Sequence, residues 1–198
     1  MFKLTLQAIR QTIVWSVVTG IIYPFVFTVF AQLVFPHQAN GSLVMQDGKL
    51  VGSQWMAQQF VGTKYFWPRP SAATYGTGAT GLNAGSGSNL GPTSAQLQTN
   101  VRTNAKALRD AGKLAADAPV PADLVYASAS GVDPHISPEA ARFQISRVAA
   151  ARGMGEDKVR ALVEQFIEPP QFGFLGQARV NVLQLNLALD AADTKKSG

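Results

Sequence analysis

Residues Ile13 to Phe35 form an apolar run of about 23 residues without one Asp, Glu, Lys or Arg, and this run limits the fold more than any other stretch. At about 1.5 Å of rise per residue, a helix of that length covers roughly 35 Å, enough to cross a hydrocarbon core of about 30 Å. A helix bonds every backbone polar group within the segment, so helix is the expectation here despite the β-branched residues. Pro24 removes one donor and predicts a kink in the middle of the span. A cleaved signal peptide would carry a shorter apolar core, of about 7–15 residues, followed by a small-x-small cleavage site, and neither is present after Phe35. A buried core helix would show a polar face, whereas Ser16, Thr19, Thr28 and Gln32 are scattered around the helix.

Charge orients the span. Lys3 and Arg10 precede it, and no Lys or Arg follows until Lys49. The excess of positive charge on cytoplasmic flanks therefore predicts residues 1–12 as a cytoplasmic tail, 13–35 as a single transmembrane helix and 36–198 as a periplasmic domain. That remainder suits one compact unit of ordinary size. There is no cysteine, which excludes disulfides, thiolate metal sites and a Cys nucleophile. The net charge is +5, but Lys and Arg are spread thinly, which argues against a nucleic-acid surface.

Local patterns outline an α+β domain, since helices and short strands mix without a β-α-β rhythm. Ser42–Met45 and Lys49–Gly52 flank Asp47-Gly48, a hairpin signal. Trp55–Phe60 reads as a short helix, and Tyr65-Phe-Trp-Pro-Arg-Pro-Ser as an aromatic anchor on the core, or else a patch facing a partner. From 74 to 92 the chain is a Gly/Ser-rich loop. Thr93 is then expected to cap a helix to about Ala111, with Leu97, Val101 and Leu108 on one stripe and Gly112 at its end. Leu124–Ala127 reads as a strand. Ser137-Pro-Glu opens a helix that runs to Arg152 and stops at Gly153. A further helix covers Glu156–Ile167, and Arg179–Leu189 reads as a short strand turning into a helix, followed by a polar tail from Ala191.

Candidate chemistry is sparse. Asp133 and His135, with Ser128, Ser130 and Ser137 nearby, contain the residue types of a Ser-His-Asp site and define the alternative function, a membrane-anchored periplasmic hydrolase. They crowd into about ten residues leading to a helix cap, without a Gly-x-Ser-x-Gly elbow, so turn and cap bonding explains the same letters. His37 and His135 are the only histidines, and no carboxylates show a metal-ligand spacing. Gly85–Gly91 runs toward a helix start as phosphate loops do, but it lacks the Gly-Lys-Ser/Thr ending.

Four motifs taken in order are nevertheless distinctive: Tyr65-Phe-Trp-Pro-Arg-Pro-Ser-Ala, Gly87-Ser-Asn-Leu-Gly-Pro-Thr, Ala127-Ser-Ala-Ser-Gly-Val-Asp-Pro-His-Ile-Ser-Pro-Glu-Ala-Ala and Val180-Asn-Val-Leu-Gln-Leu-Asn-Leu-Ala-Leu-Asp. Together with the single span they closely resemble the C subunit of the Kdp-type potassium-transporting P-type ATPase. The departures are small: Ser86 stands where the family usually has a second Gly, and Ser94 where Asn is common. The resemblance implies an accessory, non-catalytic subunit of a high-affinity potassium uptake complex in the bacterial inner membrane. It implies a role in assembly and as a catalytic chaperone that raises the pump's affinity for ATP. The implied partners are the P-type ATPase pump subunit, a channel-like potassium-binding subunit, a small single-span subunit and membrane lipid, with no nucleic acid. No cofactor is expected to be tightly bound and no metal held, ATP being placed at the interface with the pump subunit. The family's proposed nucleotide contact, a Gln in the helix after Pro-His-Ile-Ser-Pro, falls on Gln144. On helix spacing alone that residue reads as a solvated or capping side chain. The charge bias also puts it on the opposite side of the membrane from ATP, which leaves a second structural role, an outer cap over the potassium entrance.

Overall fold

A computed structural model describes residues 1–46, 48–72 and 85–194 and divides the chain into two units, Met1–Ser53 and Gln54–Gly198. The first unit begins with one uninterrupted helical rod, α1 (Phe2–Val17), a π-turn (Val18–Ile22) and α2 (Tyr23–Val34). Its 33 residues make about 50 Å of helix, longer than the apolar run alone. The π-turn answers the problem set by Pro24. With no N–H at that position, the ladder changes to wider spacing, and Tyr23 N–H bonds to Val18 O five residues back. Thr19 Oγ1 also donates to Trp15 O (2.7 Å), which satisfies its hydroxyl within the helix. Phe35 leaves the helix at φ −131°, and a single turn, α3 (Pro36–Ala39), leads to the hairpin.

The hairpin forms as expected. β1 (Leu43–Gln46) pairs antiparallel with β2 (Lys49–Ser53), with a bulge between Val44 and Met45. Gly48 takes a positive φ of 74° in the turn, and Asp47 lies outside the described residues.

The second unit is the α+β domain. Its helices are α4 (Ala95–Gly112), α5 (Pro138–Phe143), α6 (Ile145–Arg152), α7 (Glu156–Gln165) and α8 (Val182–Thr194). Three short strands, β3 (His135–Ile136), β4 (Ile167–Glu168) and β5 (Arg179–Asn181), form an antiparallel sheet in the order β3-β5-β4. The core gathers Phe66, Leu108, Ile136, Ile145, Val148, Val159, Val163, Val180, Leu185 and Leu189, all buried. α8 buries Val182, Leu183, Leu185, Asn186 and Leu189, so it reads as apolar through most of its length.

Several expectations need correction. Trp55–Phe60 is not helical: Ala57 N–H donates to Val132 O (2.9 Å), and Gln54 O accepts from Asn181 Nδ2 (2.8 Å), so long-range bonds take the groups a short helix would need. The cap of α4 is Ser94 rather than Thr93, its Oγ accepting from Leu97 N–H (3.3 Å). Gly112 is the last helical residue, and Lys113 takes the left-handed closing position (φ 53°). Leu124–Ala127 forms no strand. A 3-10 turn covers Ala122–Leu124, and the N–H groups of Val125 and Tyr126 both bond back to Ala122 O. The helix expected from Pro138 to Arg152 breaks at Gln144, and Ile167 leaves α7 to pair with Val180 in the sheet. Gly153 does end α6, with φ 61°. The last element is a strand passing into a helix, as read, though helix continues to Thr194; residues 74–84 of the Gly/Ser-rich loop and 195–198 of the tail lie outside the described residues.

Candidate functional site

Gln144 occupies the joint between α5 and α6 at φ −89°, ψ −7°, and is only 1 % exposed. Its amide is fully engaged. Oε1 accepts from Trp67 N–H (2.8 Å) and from Arg147 Nη2 (2.5 Å), while Nε2 donates to Trp67 O (3.2 Å) and Ala140 O (3.3 Å). A carboxamide that bonds both the N–H and the C=O of one residue does what a neighbouring strand would do. Asn186 on α8 repeats the device on the preceding residue, accepting from Phe66 N–H (2.8 Å) and donating to Phe66 O (3.0 Å). Two buried amides, one from the α5–α6 joint and one from α8, therefore hold consecutive residues of the Tyr65–Ser71 segment, which is how an irregular, proline-rich stretch is carried into the core with the N–H and C=O of Phe66 and Trp67 satisfied. Phe66 is completely buried, so the segment is the core anchor of the two readings offered by its sequence.

Arg147 completes the joint. Its guanidinium lies 4.2 Å from the Trp67 ring centre, and Nη1 donates to Thr63 O (2.6 Å). Burial holds its pKa down to about 10, so it remains charged at neutral pH, and among the described residues it pairs with no carboxylate. Next to it, Arg152 bonds Lys64 O (2.6 Å) and makes ion pairs with Asp190 (2.8 Å) and Asp193 (2.6 Å), fastening the same segment to α8.

The Ser, His and Asp residues come close in space but not in the order that nucleophilic catalysis needs. Asp133 Oδ1 accepts from His135 backbone N–H (3.0 Å) and lies 3.6 Å from His135 Nδ1, and Asp133 Oδ2 pairs with Arg69 (3.0 Å). Burial pushes the Asp133 carboxyl up, but the bonds from His135 and Arg69 outweigh it and hold the pKa below the ordinary value. The imidazole Nε2, where a nucleophilic Ser would have to sit, is buried with no protein partner. Ser128 and Ser130 bond each other (3.1 Å), and Ser137 caps α5 through Ala140 N–H (3.0 Å) while bonding Asp123 (3.2 Å). These serines are turn and cap residues. A cleft of about 590 Å³ opens beside them, lined by Arg69, Asp123, Tyr126, Asp133, Glu139 and Arg179, but its charges are mostly paired: Arg69 with Asp133, Arg179 with Glu168.

The glycine-rich approach to α4 also has a packing explanation. A Cβ on Gly85 would lie 2.8 Å from Ser130 O, and one on Gly87 2.7 Å from Ala129 O. The residues are glycine because two backbones touch there. His37 and His135 belong to different units, and no group of three His, Cys, Asp or Glu able to hold a metal is found among the described residues. Asn186, Arg147, Asn181 and Arg152 escaped the sequence reading. The signal for Asn186 was present: with Gln184 it is one of two amides in the otherwise apolar run Leu183-Gln-Leu-Asn-Leu-Ala-Leu.

Comparison with known proteins then decides the family. The family model described as KdpC, the c chain of K+-transporting ATPases, matches residues 5–191. The chain belongs to the KdpC family. It is 50 % identical over 186 residues to the potassium-transporting ATPase KdpC subunit of Methylococcus capsulatus, covering 93 % of this chain and 95 % of that protein. It is 52 % identical over 187 residues to the subunit of the same name from Geobacter metallireducens, covering 92 % of this chain and 95 % of the relative. The relative from Burkholderia cenocepacia is also 52 % identical, over 183 residues, covering 91 % of this chain and 92 % of its own. All four motifs lie within the matched residues, and the Asn186 amide joins two of them, Tyr65–Ala72 and Val180–Asp190.

Proposed function

We propose that this chain is a membrane-anchored accessory subunit of an ATP-driven potassium uptake complex, required for assembly and for raising the ATP affinity of the pump subunit, with no reaction of its own. The observation that carries the proposal is the KdpC match over nearly the whole chain. The helical rod that can cross a membrane supports anchoring, and Lys3 and Arg10 before it support a cytoplasmic N-terminus and a periplasmic domain in the bacterial inner membrane. The partners on this reading are the P-type ATPase pump subunit, the channel-like potassium-binding subunit and the small single-span subunit.

Gln144 takes part through the fold. Its amide is used up on Trp67, Ala140 and Arg147, so its influence on nucleotide affinity passes through the shape of the domain and the partners it touches, with ATP bound by the pump subunit. The test is to purify the tagged chain from potassium-starved cells in mild detergent, identify the copurifying chains and titrate the preparation with ATP. Recovery of a P-type ATPase and a multi-span channel-like protein is expected, with ATP affinity falling when this chain is stripped away. Recovery of the chain alone, from cells shown to make the pump, would overturn the reading.

A further inference from the structure

Between Glu168 and Arg179 the chain is Pro-Pro-Gln-Phe-Gly-Phe-Leu-Gly-Gln-Ala, with no charge at all. This loop joins β4 to β5 and presents its largest apolar side chains to solvent: Phe172 is 87 % exposed, Phe174 75 % and Leu175 50 %. The loop is also built to hold that presentation. Gln171 and Leu175 exchange two backbone bonds of 2.9 Å, Gly173 N–H bonds to Pro170 O (3.0 Å), and Phe174 N–H to Gln171 O (3.2 Å). Phe172 sits at φ 53°, a left-handed conformation unfavourable for a bulky side chain, with Gly173 and Gly176 also at positive φ. A strained, internally bonded turn that exposes two phenylalanines is prearranged for contact, because its ordering cost is met before any partner arrives.

We infer that the Phe172–Leu175 turn is an apolar knob that inserts into a hydrophobic socket on another subunit of the same ATPase; the identity of the host complex rests on the function proposed above. Charge and area choose this occupant. A bilayer surface favours Trp, Tyr, Lys and Arg, and residues 169–178 contain none, while the flanking Arg179 is paired with Glu168 at 3.0 Å. The knob offers roughly 400 Å² of apolar surface, so two copies face to face would bury about 800 Å², below the roughly 1,200 Å² of a stable interface. A knob of this size works as the anchor of a larger contact with a different chain, where buried aromatic residues dominate the binding energy.

The test places a photoreactive benzophenone analogue of phenylalanine at position 174 of the full chain, expressed with the other subunits, and compares copurification of Phe172→Ser/Phe174→Ser with wild type. A crosslink to another ATPase subunit is expected, with at least about tenfold lower recovery of the partners by the double variant. Since both side chains are exposed, the variant should keep its circular dichroism spectrum; if it misfolds, the crosslink still decides. With a wild-type complex in hand, a crosslink to lipid or to a second copy, or none, overturns the inference alone. Failure of the wild-type chain to recover any ATPase subunit strikes the proposed function first and removes the host complex with it.

Discussion

Replacing Gln144 with Ala tests whether one amide holds the joint between α5, α6 and the Tyr65–Ser71 segment. The change removes the acceptor of Trp67 N–H, the donor to Trp67 O and the acceptor of Arg147 Nη2, all in an interior where water has little access. Taking about 1 kcal/mol for each backbone group and about 2 kcal/mol for the charged donor, the loss is roughly 4 kcal/mol. Small domains are stable by only about 5–15 kcal/mol, so this is a large fraction, and for a chain of this size it lowers Tm by about 8–16 °C. The assay is thermal unfolding of the full chain in mild detergent, followed by the near-ultraviolet signal, since Trp67 reports on the joint itself. Combining the change with Arg147→Ala should cost less than the two separate effects together, by at least about 0.5 kcal/mol, because the two side chains share a bond. A loss under about 1 kcal/mol would refute this account. So would an unchanged Tm accompanied by weaker ATP binding in the assembled complex, which would place the amide at the nucleotide.

The remaining predictions follow from the other contacts. Asn186→Ala should cost about 2–3 kcal/mol in the same melt, because Phe66 N–H and C=O both lose their partner. Gly87→Ala should destabilise by about 1–3 kcal/mol, since its Cβ would meet Ala129 O at 2.7 Å, whereas Gly155→Ala, with nothing within 4 Å of its Cβ, should cost less than about 1 kcal/mol. Ser137→Ala should cost about 1 kcal/mol through the lost cap on α5. The depressed pKa of Asp133 gives the sign of one pH effect. Its contribution is fully present above the unfolded value of about 3.9 and is lost as pH falls through the folded value, so Asp133→Asn should flatten the acid limb of the stability curve, read by denaturant titration between pH 3 and 7.

What the residues announced and what they concealed divides along the range of the interactions. The β1–β2 hairpin with Gly48 in its turn, the Ser137-Pro-Glu start and the Gly153 stop are local devices, and each appears where its letters place it. Ser94 caps α4 through Leu97 N–H, so the choice of Thr93 missed by one residue between two equally good cap letters. The errors arose where distant groups took over the backbone. Trp55–Phe60 had short-helix letters but is bonded by Val132 and Asn181, and Leu124–Ala127 had strand letters but closes a tight turn. Gln144 was the most deceptive residue. A polar side chain within a helical pattern normally faces water, and nothing nearby in sequence tells that Trp67, 77 positions earlier, supplies two of its three backbone bonds.

On the function proposed above, that pairing also explains how an accessory subunit can matter to a pump. An accessory domain acts by presenting a fixed surface, and a fixed surface needs its irregular segments held in one place. Here the held segment, Phe66-Trp67, is tied by Gln144 from the α5–α6 joint and by Asn186 from α8, while Arg147 and Arg152 pack on the aromatic rings of Trp67 and Tyr65. Each tie satisfies buried polar groups that would otherwise favour opening the joint, so the conformations open to the segment are few. A substitution at Gln144 therefore acts on every surface that depends on the segment at once. On this account its effect on ATP affinity in the assembled pump should follow the loss of domain stability across a graded series, Gln144→Glu, →Asn and →Ala. An effect on ATP affinity that ignores stability would require the amide to leave Trp67 and reach the nucleotide itself.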